Sequence, residues 1–388
     1  MTKQSAPTPP NPFTPTFGAT PPRLVGRDQE IDAVRRAIGA GPGDPARAVL
    51  LTGPRGSGKT VLLNTLEQVA AQAGWTTISE STQPGLVEIM ERTSIPAALA
   101  QVDRSATKSR VSGVSASLLG SGASLTRQVA ERHPVEPRLR QRLEQLARVL
   151  APRGQGVFIT LDEVHRSALG ELKPLFHALQ HCVRQGLPVA FAAAGLPSAV
   201  ADLLNQDVLT YLRRAERFTL GRVPDHLVAQ AIEDPFRLAG RSVSSDALAL
   251  AVSAVEGYPF LIQVVGFELW QAAALSAEAD LAQARLAVAR AARTASRLVL
   301  EPVLKDLSAR DREFVRAMAA IGTGSVMMAE IMSRLGATRD HVNKYRARLI
   351  AAEVIEPAGR GLVRFAIPFL GERLRSGELS LDWPPPWN

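Results

Sequence analysis

The octapeptide GPRGSGKT, Gly53 to Thr60, restricts what this 388-residue chain can fold into more than any other stretch. Its G-x-x-x-x-G-K-[ST] spacing is that of a phosphate-binding loop, in which glycines let backbone N–H groups close around an anion while a helix N-terminus faces it. Gly53, Pro54, Arg55, Gly56, Ser57, Gly58 and Val61 are therefore expected to surround a nucleotide's phosphates. Lys59 is expected to reach the β- and γ-phosphates and Thr60 to hold Mg2+. The flanks agree with this: apolar AVLLT, Ala48 to Thr52, predicts a strand, and VLLNTLEQVAAQ, Val61 to Gln72, predicts a helix.

A second motif supplies what the loop needs. VFITLDEVH, Val157 to His165, reads as a buried strand that delivers Asp162 to its C-terminal end, where a carboxylate orients water on Mg2+. Glu163 follows and can polarise the attacking water, which points to hydrolysis rather than nucleotide storage. Downstream, YLRRAERFTLG offers Arg213, Arg214 and Arg217 at a helix-to-strand junction. An arginine there can stabilise charge on a γ-phosphate of its own or a neighbouring subunit, or can serve as an ordinary surface ion-pair residue.

Strand-like runs at 48–52, 75–79, 157–161, 189–194 and 216–220 alternate with helical segments that include 138–150 and 168–185, the pattern of a parallel α/β sheet. After Pro224 the strands stop, and helical periodicity runs to about Leu298. Residues 1–22 hold seven prolines among Ser, Thr and Ala, which predicts a disordered tail. The Ser/Gly-rich stretch from Asp103 to Leu125 predicts a hairpin or mobile loop inside the sheet domain. The expected division is a tail at 1–22, a sheet domain at 23–222, a helical lid at 223–298, a third unit at 299–376 and a short tail at 377–388.

The third unit reads on its own terms. Ser308 is placed to cap a helix, and a short helix, a turn at Gly336 and a second helix capped by Thr338 follow. Two strand-like pieces joined through Gly359 to Gly361 complete the pattern of a winged helix. Val342, Leu349 and Ile350 can face its core. Arg339, Asn343, Lys344, Arg346 and Arg348 on the second helix, with Arg360 and Arg364 on the wing, are the candidates for DNA contact.

Charge supports a polyanionic partner without naming it. The formal net charge is +8, and residues 334–375 carry nine Lys/Arg against four Asp/Glu, as 104–148 carry nine against three. Cys182 is the single cysteine, so an intrachain disulfide and any cysteine-based zinc cluster are ruled out. His177 and His181 have helical metal-pair spacing but no third ligand in the sequence, and they read as structural histidines. No apolar run reaches membrane-span length and no signal-peptide layout opens the chain, so no membrane association and a cytoplasmic location are expected.

Taken together these motifs resemble the origin-recognition-type AAA+ and STAND P-loop ATPases. LVGRDQEID, Leu24 to Asp32, resembles the G-R-x-x-E element that packs beside the adenine in that family, which implies nucleotide contact by Gly26 and Arg27. EGYPFLIQVVG resembles the G-x-P element of the STAND lid, which implies the same for Pro259, with Gly257 in its expected place. The resemblance implies an ASCE/AAA+-like α/β parallel-sheet core, an α-helical lid and a C-terminal winged helix, with ATP as the nucleotide. Two departures stand out: Ala194 and Gly195 sit where many such ATPases carry a polar sensor, and Phe260 to Gly266 lacks the arginine of a typical AAA+ lid. The first puts the sensor role in doubt, and the second tilts the resemblance toward a STAND-like switch rather than a processive motor.

The expected function is an ATP-binding and ATP-hydrolysing switch acting on double-stranded DNA as an initiator, loader or regulator, with ATP-state self-association. Two alternatives stand beside it: a signalling ATPase that assembles with an unidentified protein partner, and the ATPase subunit of a transposition or defence system.

Overall fold

The computed structural model describes residues 10–16, 21, 24–102, 138–205, 212–274, 276–379 and 381. The chain divides into two compact units, one of residues 28–53 and 62–219, the other of residues 1–27, 54–61 and 220–388. The expected hairpin or loop at 103–125 lies outside the described residues.

The first unit is built on a five-stranded sheet. Its strands are β1 (Ala48–Thr52), β2 (Thr76–Ser81), β3 (Val157–Val164), β4 (Val189–Gly195) and β5 (Glu216–Thr219), in the order β2-β3-β4-β1-β5. All pairings are parallel. The helices α1 (Asp28–Ala40), α2 (Lys59–Gln72), α3 (Leu139–Leu150), α4 (Leu169–Arg184) and α5 (Pro197–Leu204) alternate with them. A parallel strand covered on both faces reads as an unbroken apolar run. That is how VFITL and VAFAAA read, and Val157 to Leu161 and Val189 to Ala194 are buried accordingly. Phe158 and Phe176 are fully buried, and burying a side chain of that size contributes about 1.5–3 kcal/mol.

One close approach and one register shift shape the sheet's C-terminal edge. A Cβ on Gly195 would lie 2.7 Å from the carbonyl oxygen of Val164, so only glycine fits at the end of β4. An Asn or Thr at Gly195 would strike backbone, whereas Ala194 before it already carries a Cβ. The β3–β4 register also shifts between Leu161 and Val164, beside the acidic pair.

The second unit has its own continuous apolar core, which runs from the lid helices into the C-terminal region. The helices expected to form the lid are α6 (Asp225–Leu238), α7 (Ser245–Val255), α8 (Pro259–Ala272) and α9 (Leu281–Ala295). Two-residue strands, Ser242–Val243 and Glu278–Ala279, pair within it, so the sequence's purely helical lid is corrected by one short ladder. The N-terminal segment is corrected too, because part of the proline-rich stretch is fixed to the lid. Phe13 is buried with its ring against Gly266, where a Cβ would stand 2.3 Å from the ring. The Asn11 amide donates to the Phe267 carbonyl and the Thr14 N–H to the Gln263 side chain, which ties the segment along α8.

The C-terminal region comprises α10 (Ala309–Ile321), α11 (Met328–Leu335), α12 (Arg339–Ala351) and α13 (Leu370–Arg375), with an antiparallel three-stranded sheet. In that sheet the hairpin Ile355–Gly359 with Leu362–Phe365 matches the sequence reading, and Val326–Met327 adds a third strand that the sequence did not indicate. Ser308 caps α10 through its hydroxyl, whereas Thr338 holds the cap position of α12 without a side-chain hydrogen bond. Leu379 and Leu381 are buried, which fixes the beginning of the C-terminal tail. Among the described residues no helix is long and apolar enough to cross a membrane.

Candidate nucleotide site

The phosphate loop, Pro54 to Val61, belongs to the unit that holds the lid and the C-terminal region. The Ser57 N–H donates to the Pro54 carbonyl at 3.1 Å and closes the turn, and the Lys59 ammonium donates to the same carbonyl at 2.8 Å. Gly56 takes φ +74°, a left-handed value that costs an ordinary residue about 1–2 kcal/mol. The Ser57 hydroxyl is buried and has no hydrogen-bond partner among the described residues. A buried polar atom without a partner is costly, and an anion seated in the loop supplies one. The loop therefore fits the group its sequence implies.

Two other segments make three contacts with the loop. The Arg27 guanidinium, 7% exposed, donates to the Gly221 carbonyl at 2.8 Å and to the Ser57 carbonyl at 3.5 Å. Gly26 precedes it, with a Cβ position 3.3 Å from Leu227 of α6. Tyr258 packs its ring over Gly56 and donates its phenol to the Arg55 carbonyl. Burial raises the Tyr258 phenol's pKa and keeps it a donor. Pro259 takes the first position of α8, where its fixed φ suits a helix start, and the next N–H, of Phe260, donates to the Gly56 carbonyl at 3.2 Å. The structure thus brings Gly26, Arg27, Pro54 to Val61 and Pro259 into one unit.

A fourth contact comes from the C-terminal region. The Arg55 N–H donates to Oε2 of Glu353 at 2.7 Å, across 298 residues of sequence. Glu353 follows α12 at φ +60°, and its other carboxylate oxygen is buried without a partner among the described residues. Burial raises its pKa above the ordinary value, opposed by the Arg55 N–H bond and the Lys59 and Arg55 charges.

The acidic pair lies at the sheet edge of the other unit. Thr52 of β1 pairs with Gly195 of β4, and Gly195 with Val164 of β3, so the strand that leads into the phosphate loop and the strand carrying Asp162 end at one edge. Asp162 accepts the Glu163 N–H at 2.8 Å, and Glu163 adopts φ +56°. Thr82 braces both: its N–H donates to the Asp162 carbonyl at 3.0 Å and its hydroxyl to the Glu163 carbonyl.

The remaining candidates separate by their contacts. Arg213 donates to the Leu204 carbonyl, Arg217 of β5 donates to the Arg213 carbonyl, and Arg214 is exposed. On α12, Val342 and Leu349 are buried and Ile350 packs against the core, as their spacing predicts. Arg339, Asn343 and Lys344 are exposed and Arg346 is half-buried; Arg339, Asn343 and Arg346 share one stripe. Arg348 bonds to Asp311 and Ser308, and Arg364 donates to Glu356 at 2.6 Å, so both side chains serve the fold. Arg360 is exposed between the hairpin strands. The His181 imidazole is 3.0 Å from Glu144, and the described residues contain no group of three or more potential metal-ligating side chains.

Tyr258, Thr82 and Glu353 are site residues that the sequence did not reveal. Tyr258 sat inside the quoted G-x-P element, which was its only signal.

A profile of the AAA ATPase domain matches residues 23–192. A second profile, of a domain of unknown function (DUF8462), matches residues 297–374. The chain is similar in structure to the Walker-type ATPase of Pyrococcus abyssi, at 17% identity over 91% of this chain and 96% of that one, with a TM-score of 0.63. It is also similar to the ORC2 protein of Aeropyrum pernix in its ADPNP–ADP complexes, at 14% identity over 94% of this chain and 97% of that one, with a TM-score of 0.60. The chain has the fold that these two structures share, with the profile match falling on its phosphate-loop part. No curated protein matches the chain in sequence.

Proposed function

We propose that the protein is an ATP-hydrolysing switch whose nucleotide state is passed to a C-terminal winged helix that contacts double-stranded DNA. The observation that supports this reading is the grip on the phosphate loop. Tyr258 and Phe260 of the lid and Glu353 of the C-terminal region all bond to Arg55 or Gly56. Any anion that reshapes the loop therefore acts on both. In this reading the sheet domain spans 23–222, the lid 223–298 and the winged helix 299–376.

The residues take the following roles. Lys59 and the loop N–H groups bind the β- and γ-phosphates of ATP. The Thr60 hydroxyl and the Asp162 carboxylate are hard oxygen donors of the kind Mg2+ prefers, and the ion, when bound, neutralises charge on the phosphates. Glu163 orients the water that attacks the γ-phosphorus while the bond to the β-phosphate oxygen breaks, yielding ADP and phosphate. Arg213, Arg214 and Arg217 are candidates for stabilising that charge, supplied within the subunit or across an ATP-state homo-oligomer. Arg339, Asn343, Lys344 and Arg346 with Arg360 make up the DNA face, and Arg364 stands at its edge.

A second reading, output through a protein partner instead of DNA, is favoured by one observation. Arg348 and Arg364 are held in ion pairs with Asp311 and Glu356, which reduces the basic surface available to phosphates.

Phosphate release from ATP tests the enzymatic part. Wild type is expected to hydrolyse ATP. Lys59→Ala should lose nucleotide binding, and Glu163→Gln should bind normally but turn over at least 100-fold more slowly. Equal turnover by all three proteins would refute the assignment.

A further inference from the structure

The loop that recognises phosphate already holds a carboxylate. Arg55 gives its N–H to Oε2 of Glu353 at 2.7 Å, and Tyr258 takes hold of the carbonyl of the same residue. Arg55 is thereby fixed on both sides. The Lys59 and Arg55 charges act on Glu353 as well, which is the electrostatic setting this loop provides for an anion.

The backbone argues that the glutamate is there for a reason other than stability. At the end of α12 the Glu353 N–H bonds to the Ile350 carbonyl and the Val354 N–H to the Leu349 carbonyl, a helix stop whose left-handed residue is commonly glycine. This chain instead places a glutamate there at φ +60° and buries it to 9% exposure. One carboxylate oxygen is left without a partner among the described residues. A strained backbone and an incompletely paired buried charge persist where function requires them.

We propose that Glu353 is a built-in anionic clasp: its carboxylate occupies the phosphate loop in the nucleotide-free protein and competes with nucleotide phosphate, so that filling the loop releases the C-terminal region. The competition is reciprocal, since whatever the phosphate does to the clasp, the clasp does to phosphate affinity. The clasp rests on the ATP-binding reading above and adds the residue through which the C-terminal region senses the loop. The strand Ile355–Gly359 begins two residues after Glu353, so it is connected to the phosphate site through that one hydrogen-bonded side chain.

The test uses the full chain, fluorescently labelled ATP and ADP, and hydrogen exchange. Glu353→Gln keeps the shape and removes the charge, and Glu353→Gly removes the side chain while suiting the left-handed turn, so at least one variant remains folded. Both variants are expected to bind nucleotide at least fivefold more tightly than wild type. In nucleotide-free wild type the Arg55 amide should be protected, and saturation with ATP should increase exchange over residues 352–356. Affinities within twofold of wild type, or unchanged exchange over 352–356 on saturation, would overturn the clasp while leaving ATP binding intact. Failure of wild type and variants alike to bind nucleotide would instead overturn the ATP-binding reading, and the clasp with it.

Discussion

Gly56 lies beneath the ring of Tyr258, with a Cβ at Gly56 placed 2.8 Å from the phenol oxygen and 2.9 Å from the ring edge. The motif glycine is therefore required twice, once by its positive φ and once by a ring 202 positions further along the chain. Gly56→Ala is expected to destabilise the protein by about 2–4 kcal/mol, from left-handed strain and overpacking together. Tyr258→Ala in the same chain should recover part of that loss, and urea unfolding of the single and double variants measures the coupling.

Gly195 invites a different substitution. Restoring the polar sensor that many such ATPases carry, as Gly195→Asn, would drive a side chain into the Val164 carbonyl, 2.7 Å from the new Cβ. The expected result is a stability loss of about 1–3 kcal/mol with no gain in turnover. Thermal unfolding and phosphate release read the two effects separately.

Among the basic residues of α12, Arg348 is distinguished by its partners. Asp311 is 6% exposed and accepts the Arg348 Nε at 3.1 Å, so removing the guanidinium leaves a buried carboxylate underpaired. Arg348→Ala is expected to cost about 1–3 kcal/mol in a denaturant titration. Arg339→Ala and Lys344→Ala should change stability by less than about 0.5 kcal/mol, as exposed positions do. Those two variants are therefore the clean probes of DNA contact.

Cys182 is fully buried on α4, and burial, with the Glu144 charge second, pushes its thiol from 9.0 up to about 12. A raised thiol pKa means that little thiolate forms at pH 8, and the thiolate is the reactive species. Ellman's reagent at that pH should leave the native protein unlabelled and label one thiol per chain once it is denatured. Rapid labelling of folded protein would contradict the packing of α4 against the sheet.

Much of this arrangement was legible in the sequence because its signals are local. The strands predicted at 48–52 and 189–194 appear as Ala48–Thr52 and Val189–Gly195, since buried parallel strands need unbroken apolar runs. GPRGSGKT and the LDE triplet announce themselves through spacing alone. What escaped depends on distance along the chain. Nothing around Glu353 marks it as the partner of Arg55, and a glutamate after a helix reads as solvated surface. Phe13 looked like part of a proline-rich tail because its seat, Gly266, is visible only once α8 is folded. Arg348 and Arg364 look like any basic residue on a nucleic-acid face until their carboxylate partners arrive from elsewhere in the fold.

Control of C-terminal binding by nucleotide in the phosphate loop can be read from fluorescence anisotropy of a labelled DNA duplex. Wild type and Lys59→Ala would be titrated with ATP, with ADP and without nucleotide, at two salt concentrations. If nucleotide controls the C-terminal region, wild-type binding strengthens with ATP and weakens steeply with salt as counterions are released, and Lys59→Ala loses the ATP response. Duplex binding that is the same in all nucleotide states, or absent from every one, would contradict that control.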